Sequence, residues 1–474
     1  MVDILIENGF IITMDPERRV IRDGSVYVND GKIISVRKSE EIEAPSNPEF
    51  VINAKNKVVM PGFINTHTHI EQYLRGIYEL TGDFFKIMLP LIQYEHPMGL
   101  DFGLSTCAEM IYGGATTTVC THSLYLDDLA RAVEIAGNRA VIGMNIPEVD
   151  FAKLRNGVYE YIPHLGDKGI KAARNLHDRW QGKADGKITT ILAPHAPDFT
   201  TTETFLKIKE MAEMYNLRIM THLSQSREEV LQVKKIYGKT PPEYLEEIGL
   251  LDERLLVAHC TYASETDTLL LRNAGSKILH CRSVRNPLLQ WLDLGIPVGL
   301  GTDDLHHSML PLLRQNIKGA EYRAEVLGGY YGLIVNSGLK ARPTPLRINE
   351  RPSPYELLEL ATIRGAKVLG MDKEVGSLEP GKMADIITIN MSNPLLTPTQ
   401  EPVSSIVLYG NASDIDTVIV KGRIIKEGGI ITSFDTEETI SKAQERIDSL
   451  WERFFEEYPE QKALWRKRVT YDIH

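Results

Sequence analysis

Between residues 60 and 370, short apolar runs alternate with stretches of helical periodicity, and no other feature limits the fold of this sequence as strongly. The apolar runs are Gly62–Asn65, Ala115–Val119, Ala140–Met144, Ile188–Leu192, Arg218–Met220, Leu255–Ala258, Lys277–Leu279 and Pro297–Leu300. Helical periodicity is clear over Thr202–Tyr215 and Ser264–Ala274. Such alternation is typical of a parallel sheet, and eight repeats predict a closed (β/α)8 barrel of the TIM type.

The segments on either side of this region have strand and turn patterns. Before residue 60, the pairs Asn8-Gly9, Asp23-Gly24 and Asp30-Gly31 separate short apolar runs, which predicts hairpin turns. Residues 376–430 return to the same chemistry. We therefore predict an α/β protein in which residues 61–370 form the barrel. Residues 1–60 and 371–430 together form one small β-sandwich domain that is built from both chain ends.

Residues 431–474 are predicted to form a C-terminal helical extension. Apolar residues recur at helical spacing from residue 436 to about residue 470, and Asp435 and Glu438 have the spacing of an N-terminal capping pair. We expect this extension to pack on the barrel, and a contact between subunits is the alternative.

The bulk composition excludes several classes of partner. The net charge of −11 argues against nucleic acid and anionic membranes as partners, and no apolar run is long enough to predict a membrane span. The N-terminus lacks a basic segment followed by an apolar block, so no secretion signal is predicted. The four cysteines lack close paired spacing, which is typical of a reducing cytosol. We expect a cytoplasmic homo-oligomer that acts on a small molecule.

Polar residues capable of metal binding or acid–base chemistry follow the predicted strands. They are His67 and His69 after the first strand, His122 after the second, His195 after the fourth, His222 after the fifth, His259 after the sixth, His280 after the seventh and Asp303 after the eighth. In a barrel of this type, the C-terminal ends of the strands converge on the active site. Packing alone does not account for so many histidines at one end of a sheet.

Four of these residues form a plausible ligand set. His67 and His69 are two residues apart, so on a strand both side chains point to the same face. With His222 and Asp303 they supply three imidazoles and one carboxylate, which suits one divalent ion, Zn²⁺ first, with Fe²⁺, Co²⁺ or Mn²⁺ as alternatives. A position left open would hold a water whose pKa falls from about 15.7 towards about 7.

The remaining candidates have predicted catalytic or substrate-binding roles. Asp303 could carry the proton of the water to the leaving group, and His259 could polarise the reacting carbon's substituent or steady the hydroxide. Substrate contacts are predicted for His195, His280, His122 and Arg282. Each of two residues has an alternative role. His280 could simply lie on the barrel rim, and Arg282 could pair with a structural carboxylate.

Several motifs resemble the amidohydrolase superfamily. They are Pro61–His69, Gly301–Asp303, and Gly376–Lys382 followed by Ala384-Asp385. The layout is similar to the branch that contains atrazine and triazine hydrolases, guanine deaminase and S-adenosylhomocysteine deaminase, and Leu251–Arg254 leading into Val257–Cys260 resembles that branch in particular. The resemblance implies one Zn²⁺ or Fe²⁺ on His67, His69, His222 and Asp303, with His259 as the polarising or water-orienting histidine.

One position departs from the pattern of this branch. Its deaminases carry His-x-x-Glu after the fifth strand, and the glutamate protonates a ring nitrogen of the substrate. Here the motif is His222-Leu223-Ser224-Gln225, and a glutamine donates hydrogen bonds but does not shuttle protons. We expect Gln225 to contact the substrate, and we expect the nearby Glu228 and Glu229 to be solvated.

These observations predict a metal-dependent hydrolase of a non-peptide C–N bond in a small, nitrogen-rich, heterocyclic substrate. A metal-bound hydroxide would attack, and an amine, or a group from an amide or urea, would leave. The glutamine favours removal of a substituted amine, or urea or amide hydrolysis, over simple ring deamination. The alternatives are hydrolytic dechlorination of a chlorotriazine and a metal-binding protein without catalysis.

Overall fold

A computed structural model describes residues 3–42, 47–75, 89–92, 94–154, 156–281, 283, 286–303, 308–317 and 352–468. The predicted substrate contact Arg282 lies outside these residues. The described strands form two sheets, one of eight strands and one of nine. No helix in the described part of the chain combines the length and the apolar character needed to cross a membrane.

The eight-stranded sheet is parallel and follows the chain order. Its strands are β6 (Phe63–Thr68), β7 (Ala115–His122), β8 (Arg139–Ile146), β9 (Ile188–Pro194), β10 (Ile219–Leu223), β11 (Leu255–His259), β12 (Lys277–Cys281) and β13 (Val298–Gly301). The predicted barrel with eight strands is therefore confirmed. The predicted runs end one to three residues too early, because the strands continue into the polar residues of the barrel mouth.

The first and last strands of the barrel meet at the histidine motif. Asp303 N donates to His67 O over 3.0 Å, and Thr68 Oγ1 donates to Asp303 O over 2.7 Å. A Cβ atom at Gly301 would lie 2.7 Å from the Cβ of His67, so only glycine permits this approach of the strands. Closure of the barrel therefore brings Asp303 beside His67.

Helices surround the barrel and follow most of its strands. The longer ones are Gly99–Tyr112, Leu126–Ala136, Pro163–Trp180, Thr202–Tyr215, Arg227–Tyr237, Pro241–Glu247, Glu265–Ala274, Leu288–Asp293, Pro354–Leu360 and Ile363–Leu369. Single helical turns are Ser39–Glu41, Gln72–Leu74, Leu89–Ile92, Phe151–Leu154, Lys183–Gly186 and Ala412–Asp414. The helix predicted over Thr202–Tyr215 is confirmed, and the hydroxyl of Thr201 caps its first turn.

The nine-stranded sheet combines both chain ends, as predicted. Its strands are β1 (Asp3–Ile12), β2 (Val20–Asn29), β3 (Lys32–Lys38), β4 (Phe50–Asn53), β5 (Lys57–Pro61), β14 (Ile386–Asn390), β15 (Ile415–Val420), β16 (Arg423–Glu427) and β17 (Ile430–Ile431), with Pro402–Tyr409 as a helix between β14 and β15. The two ends join where β5 pairs antiparallel with β14, with Pro61 opposite Ile386.

Two of the three predicted hairpin turns are wrong. β1 continues through Asn8-Gly9 and β2 continues through Asp23-Gly24, with φ angles of 62° at Asn8 and 52° at Asp23. The register between β1 and β2 shifts at these positions, so the Asx-Gly pairs form bulges within the strands. Only the pair Asp30-Gly31 makes a turn, between β2 and β3.

The C-terminal extension packs on the barrel but is not one helix. It consists of Thr436–Glu457 and Pro459–Arg468, because Tyr458 precedes a proline and leaves the helical conformation. Asp435 accepts a hydrogen bond from Glu438 N over 3.0 Å, which confirms the predicted cap. Trp451 Nε1 donates to Tyr73 O over 3.1 Å, so the extension contacts the segment that follows the histidine motif.

A buried ion pair joins the barrel to the small sheet. Arg139 begins β8, and its guanidinium contacts both oxygens of Asp385, with Nε 2.6 Å from Oδ2 and a terminal nitrogen 3.1 Å from Oδ1. Asp385 also accepts from the Lys421 backbone N–H over 2.9 Å. This arrangement is bidentate and leaves neither charge unpaired, so Asp385 of the Ala384-Asp385 motif has a structural role between the barrel and the small sheet.

Asp385→Ala should destabilise the protein strongly, because it leaves the buried Arg139 guanidinium unpaired. We expect the free energy of unfolding to fall by about 3–5 kcal/mol in chemical denaturation. As the control, Asp167→Ala removes one partner of the exposed pair with Lys207, and it should cost about 1 kcal/mol or less. Equal losses in the two variants would contradict a special role for the buried pair.

Candidate metal centre

Three of the predicted histidines meet inside the barrel mouth. His67 lies in β6, His69 follows it directly, and His222 lies in β10. One ring nitrogen from each lies within 4.8 Å of the others, and His69 Nε2 is 3.4 Å from His222 Nε2. All three side chains are buried. The structure therefore brings together the histidines that the sequence placed on two different strands.

Backbone carbonyls fix the orientation of two of these rings. His69 Nδ1 lies 2.7 Å from Thr121 O, and His222 Nδ1 lies 2.8 Å from His195 O. A carbonyl oxygen only accepts hydrogen bonds, so each Nδ1 donates, and in a neutral ring the Nε2 atom then carries a lone pair. Two lone pairs that face each other across 3.4 Å repel unless a cation or a proton lies between them.

The electrostatics of the cluster favour a positive charge at this point. Burial lowers the pKa of His222 well below its ordinary value, so this ring is neutral. Burial alone would also lower the pKa of His69, but Asp303 and the charge of Glu71 raise it to about 9. Within the described chain, neither nitrogen of the buried His67 ring has a hydrogen-bond partner. Buried nitrogens without partners are costly, and a metal ion would satisfy them.

Asp303 completes the group. Its Oδ1 lies 3.5 Å from both His67 Nε2 and His69 Nε2. Burial would raise the pKa of Asp303, but the neighbouring histidines lower it well below its usual range, so the side chain is a carboxylate. Its φ angle of 64° is unusual for a residue with a side chain, and the two hydrogen bonds that close the barrel hold it there. Three imidazoles and one carboxylate form a potential site for a divalent metal.

His259 faces the same cluster from β11. Its ring stacks on His222 with the centroids 5.4 Å apart, and its centroid is 5.6 Å from that of His67. Burial lowers the pKa of His259 to about 4, and its Nε2 has no hydrogen-bond partner among the described residues. The strand alternation alone would turn this side chain outwards, but a φ angle of 77° redirects the chain here.

Cys281 also belongs to this neighbourhood, and sequence reasoning missed it. Its sulfur, one nitrogen each from His67 and His259, and an oxygen of Asp303 lie within 4.8 Å of one another. Leu279 and Cys281 pack in the cluster of side chains that fills the barrel, so His280 between them points away from the barrel axis. The alternation of strand side chains was the signal that could have identified Cys281.

His280 and His122 do not join these groups. His280 accepts from Asn286 Nδ2 at Nδ1 over 2.9 Å, and its Nε2 lies 2.7 Å from Asn316 Oδ1. His122 accepts from Leu124 N at Nδ1 over 2.9 Å, and its Nε2 lies 3.2 Å from the Tyr73 hydroxyl. Both rings are buried, and each has both nitrogens hydrogen-bonded to protein.

His195 lies closer to the cluster. Its ring centroid is 4.8 Å from that of His222, and its other side stacks on Phe199 at 5.0 Å. Burial and the surrounding histidines lower its pKa to about 3, so the ring is neutral and offers one donor and one acceptor.

One of the two carboxylates near Gln225 differs from the prediction. Gln225 is exposed, and Glu228 is exposed as predicted, but Glu229 is buried with 3% of its surface accessible. The expectation for Glu229 was wrong because its carboxylate turns back from the first helical turn and accepts from Ser224 N and Gln225 N, each over 2.7 Å.

Glu71 is a second acidic residue that the sequence did not single out. Its side chain is buried, and Oε1 lies 3.7 Å from His122 Nε2. Its charge contributes to the raised pKa of His69, two residues earlier. Its spacing of two residues from His69 was the sequence signal that could have identified Glu71.

Comparisons with known proteins show the family of this chain. The model of the Amidohydrolase family matches residues 58–425. The 5'-deoxyadenosine deaminase of Methanosarcina acetivorans is 31% identical over 466 residues, which cover 95% of this chain and 99% of that protein. The 5-methylthioadenosine/S-adenosylhomocysteine deaminase of Thermoanaerobacter pseudethanolicus is 30% identical over 467 residues, which cover 95% of this chain and 100% of that protein.

A solved structure is similar over the same length. The adenosine deaminase of Xanthomonas campestris with bound zinc superposes with a TM-score of 0.79 at 22% identity, covering 95% of this chain and 98% of that one. Since the family match spans most of the sequence and the relatives align from end to end, this chain belongs to the amidohydrolase family and is a hydrolase of carbon–nitrogen bonds other than peptide bonds.

Proposed function

We propose that this chain removes an amine from a small nitrogen heterocycle, with one divalent ion held by His67, His69, His222 and Asp303. The facing Nε2 atoms of His69 and His222 carry the proposal, because a positive charge, either a proton on His69 or a metal ion, is favoured between them, and a metal ion would also satisfy the unpartnered His67 ring. The deaminase relatives support an aminated, adenine-like ring as the substrate class. The zinc in the similar adenosine deaminase structure supports Zn²⁺ as the ion.

The residues of the site have complementary roles in this proposal. A bound divalent ion supplies Lewis acidity, which makes water acidic enough to react near neutral pH. Asp303 is a carboxylate, so it can take a proton from water and pass it to the leaving amine. His259 is neutral and orients the water or polarises the reacting carbon's substituent.

A position at the end of a strand does not by itself identify a substrate contact. We assign His195 and Gln225 to the substrate, because the His195 ring lies 4.8 Å from the His222 ring and the exposed Gln225 follows His222 by three residues. His280 and His122 act as supports, since each has both nitrogens bonded to protein. A role for Arg282, a homo-oligomeric state and a cytoplasmic location stay predictions.

Loss of the ion should abolish activity. A chelator should remove amine release from aminated heterocycles, and added Zn²⁺ should restore it, with about one ion per chain in elemental analysis. His222→Ala should lower the bound metal at least about tenfold, since it removes a proposed ligand. As the control, replacement of the exposed His164 by alanine should leave the metal content unchanged. Full activity in a metal-free preparation would contradict the proposal.

Asp303→Asn should stop turnover without unfolding the protein. The two hydrogen bonds of Asp303 to the first strand involve its backbone, which asparagine keeps. We expect kcat to fall by about 10²–10⁴ and the melting temperature to stay close to that of the wild type. Metal content is measured in parallel, because a variant that keeps its metal but loses turnover isolates the proton transfer. Near-normal turnover would refute the proton-carrier role.

Gln225→Glu should improve the hydrolysis of aminated rings, because a glutamate at this position can protonate a ring nitrogen. We expect kcat/KM to rise at least about tenfold on some member of a panel of aminated heterocycles. Ureas and chlorotriazines complete the panel, and release of chloride in place of an amine would favour dechlorination. If no aminated ring gains, the glutamine suits a different chemistry.

A further inference from the structure

Glu229 is a buried acidic residue that accepts hydrogen bonds from the backbone of a neighbouring loop. Oε1 accepts from Ser224 N and Oε2 accepts from Gln225 N, each over 2.7 Å. Bonds to an ionised carboxylate are charge-assisted and about twice as strong as bonds between neutral groups, so the two N–H groups favour the ionised form of Glu229. The two oxygens therefore bind two successive N–H groups, which fixes the plane of the peptide that leads into Gln225.

The same loop is held from its other side. Ser224 has a φ angle of 48°, and its carbonyl oxygen accepts from Tyr262 N over 2.8 Å. The loop begins two residues after His222 and ends at Ser226, where the helix Arg227–Tyr237 starts. Gln225 is thus carried on a short, restrained segment, three residues after His222, and it is exposed.

Helix capping does not explain the burial of Glu229. Ser226 already caps this helix, because its hydroxyl accepts from Glu229 N over 3.0 Å. A second carboxylate, Asp198, is also buried nearby and accepts from the Tyr159 hydroxyl over 2.9 Å. Burial and the proximity of Asp198 raise the pKa of Glu229 to about 8 in spite of its bonds to backbone N–H groups, so the ionised form that accepts both bonds is costly to keep. A costly group that the helix does not need indicates a function in the loop.

We propose that Glu229 is a positioning residue that sets the location of Gln225 for substrate recognition. The proposal rests on the proposed function, in which Gln225 contacts the substrate. Glu229 itself lies behind the loop and acts only through it.

A double-mutant cycle tests this relationship with an aminated heterocycle as substrate. In Glu229→Gln, the amide nitrogen faces a backbone N–H, so one of the two bonds becomes a contact between donors. We expect KM to rise about tenfold while kcat changes less than about threefold, because a binding contact is lost. In a Gln225→Ala background, the same substitution should change KM less than about twofold. Glu228→Gln, at the exposed neighbour, is the matched control and should change neither constant.

Additive effects in the two backgrounds would overturn the proposal, because Glu229 would then act on the fold or on the metal site. No effect of Glu229→Gln on KM would overturn it as well. Metal content is determined for every variant, so loss of the ion is recognised separately. Should Glu229→Gln fail to fold, Glu229→Asp, which shortens the side chain by one methylene, takes its place in the cycle.

Hydrogen exchange separates this proposal from the proposed function. The amides of Ser224 and Gln225 should exchange at least about tenfold faster in Glu229→Gln than in the wild type or in Glu228→Gln, whatever the substrate. Faster exchange without turnover of any aminated ring would leave the loop restraint standing and reject the function. Unchanged exchange would reject the restraint, even if the enzyme were an active aminohydrolase.

Discussion

The hydrogen bonds that close the barrel include two between Asp303 and the His67-Thr68 segment, and the candidate site depends on this closure. The last strand meets the first at the residues that carry the ligand atoms, with Gly301 small enough to permit the contact. A change in the register of β13 would therefore move the carboxylate away from the histidines and open the sheet at the same time. The same contact between the first and last strands therefore maintains both the barrel and the candidate site.

Two histidines of the cluster are oriented by backbone carbonyls from neighbouring parts of the barrel. His69 donates to Thr121 O in β7, and His222 donates to His195 O just beyond β9. These carbonyl groups select the tautomer that leaves Nε2 free to face the centre, in the way that outer hydrogen bonds commonly orient metal-binding histidines. The barrel supplies such carbonyls at its mouth because neighbouring parallel strands end there at nearly the same level.

The sequence was sufficient for the eight strands, the two-ended sheet and the residues of the cluster, because periodicity and strand-end position carry that information. It was not sufficient for side-chain direction. The left-handed conformations of His259 and Asp303 turn their side chains into the site, and His280 faces away where the strand is regular. The burial of Glu229 depends on a bond to a preceding loop, and the bulge at Asn8-Gly9 depends on pairing across two strands. None of these follows from local propensity, because each is decided by a partner elsewhere in the fold.

The two-ended sheet has a consequence for synthesis on the ribosome. β5 pairs with β14, and Pro61 lies opposite Ile386, about 325 residues later in the chain. At about 5–20 residues per second, β5 is made tens of seconds before its partner. Until then, the nascent N-terminal strands expose an unpaired edge, which is the kind of surface that chaperones protect from aggregation. Asp385 directly precedes β14, so its ion pair with Arg139 joins the small sheet to the barrel only after all eight barrel strands have been made.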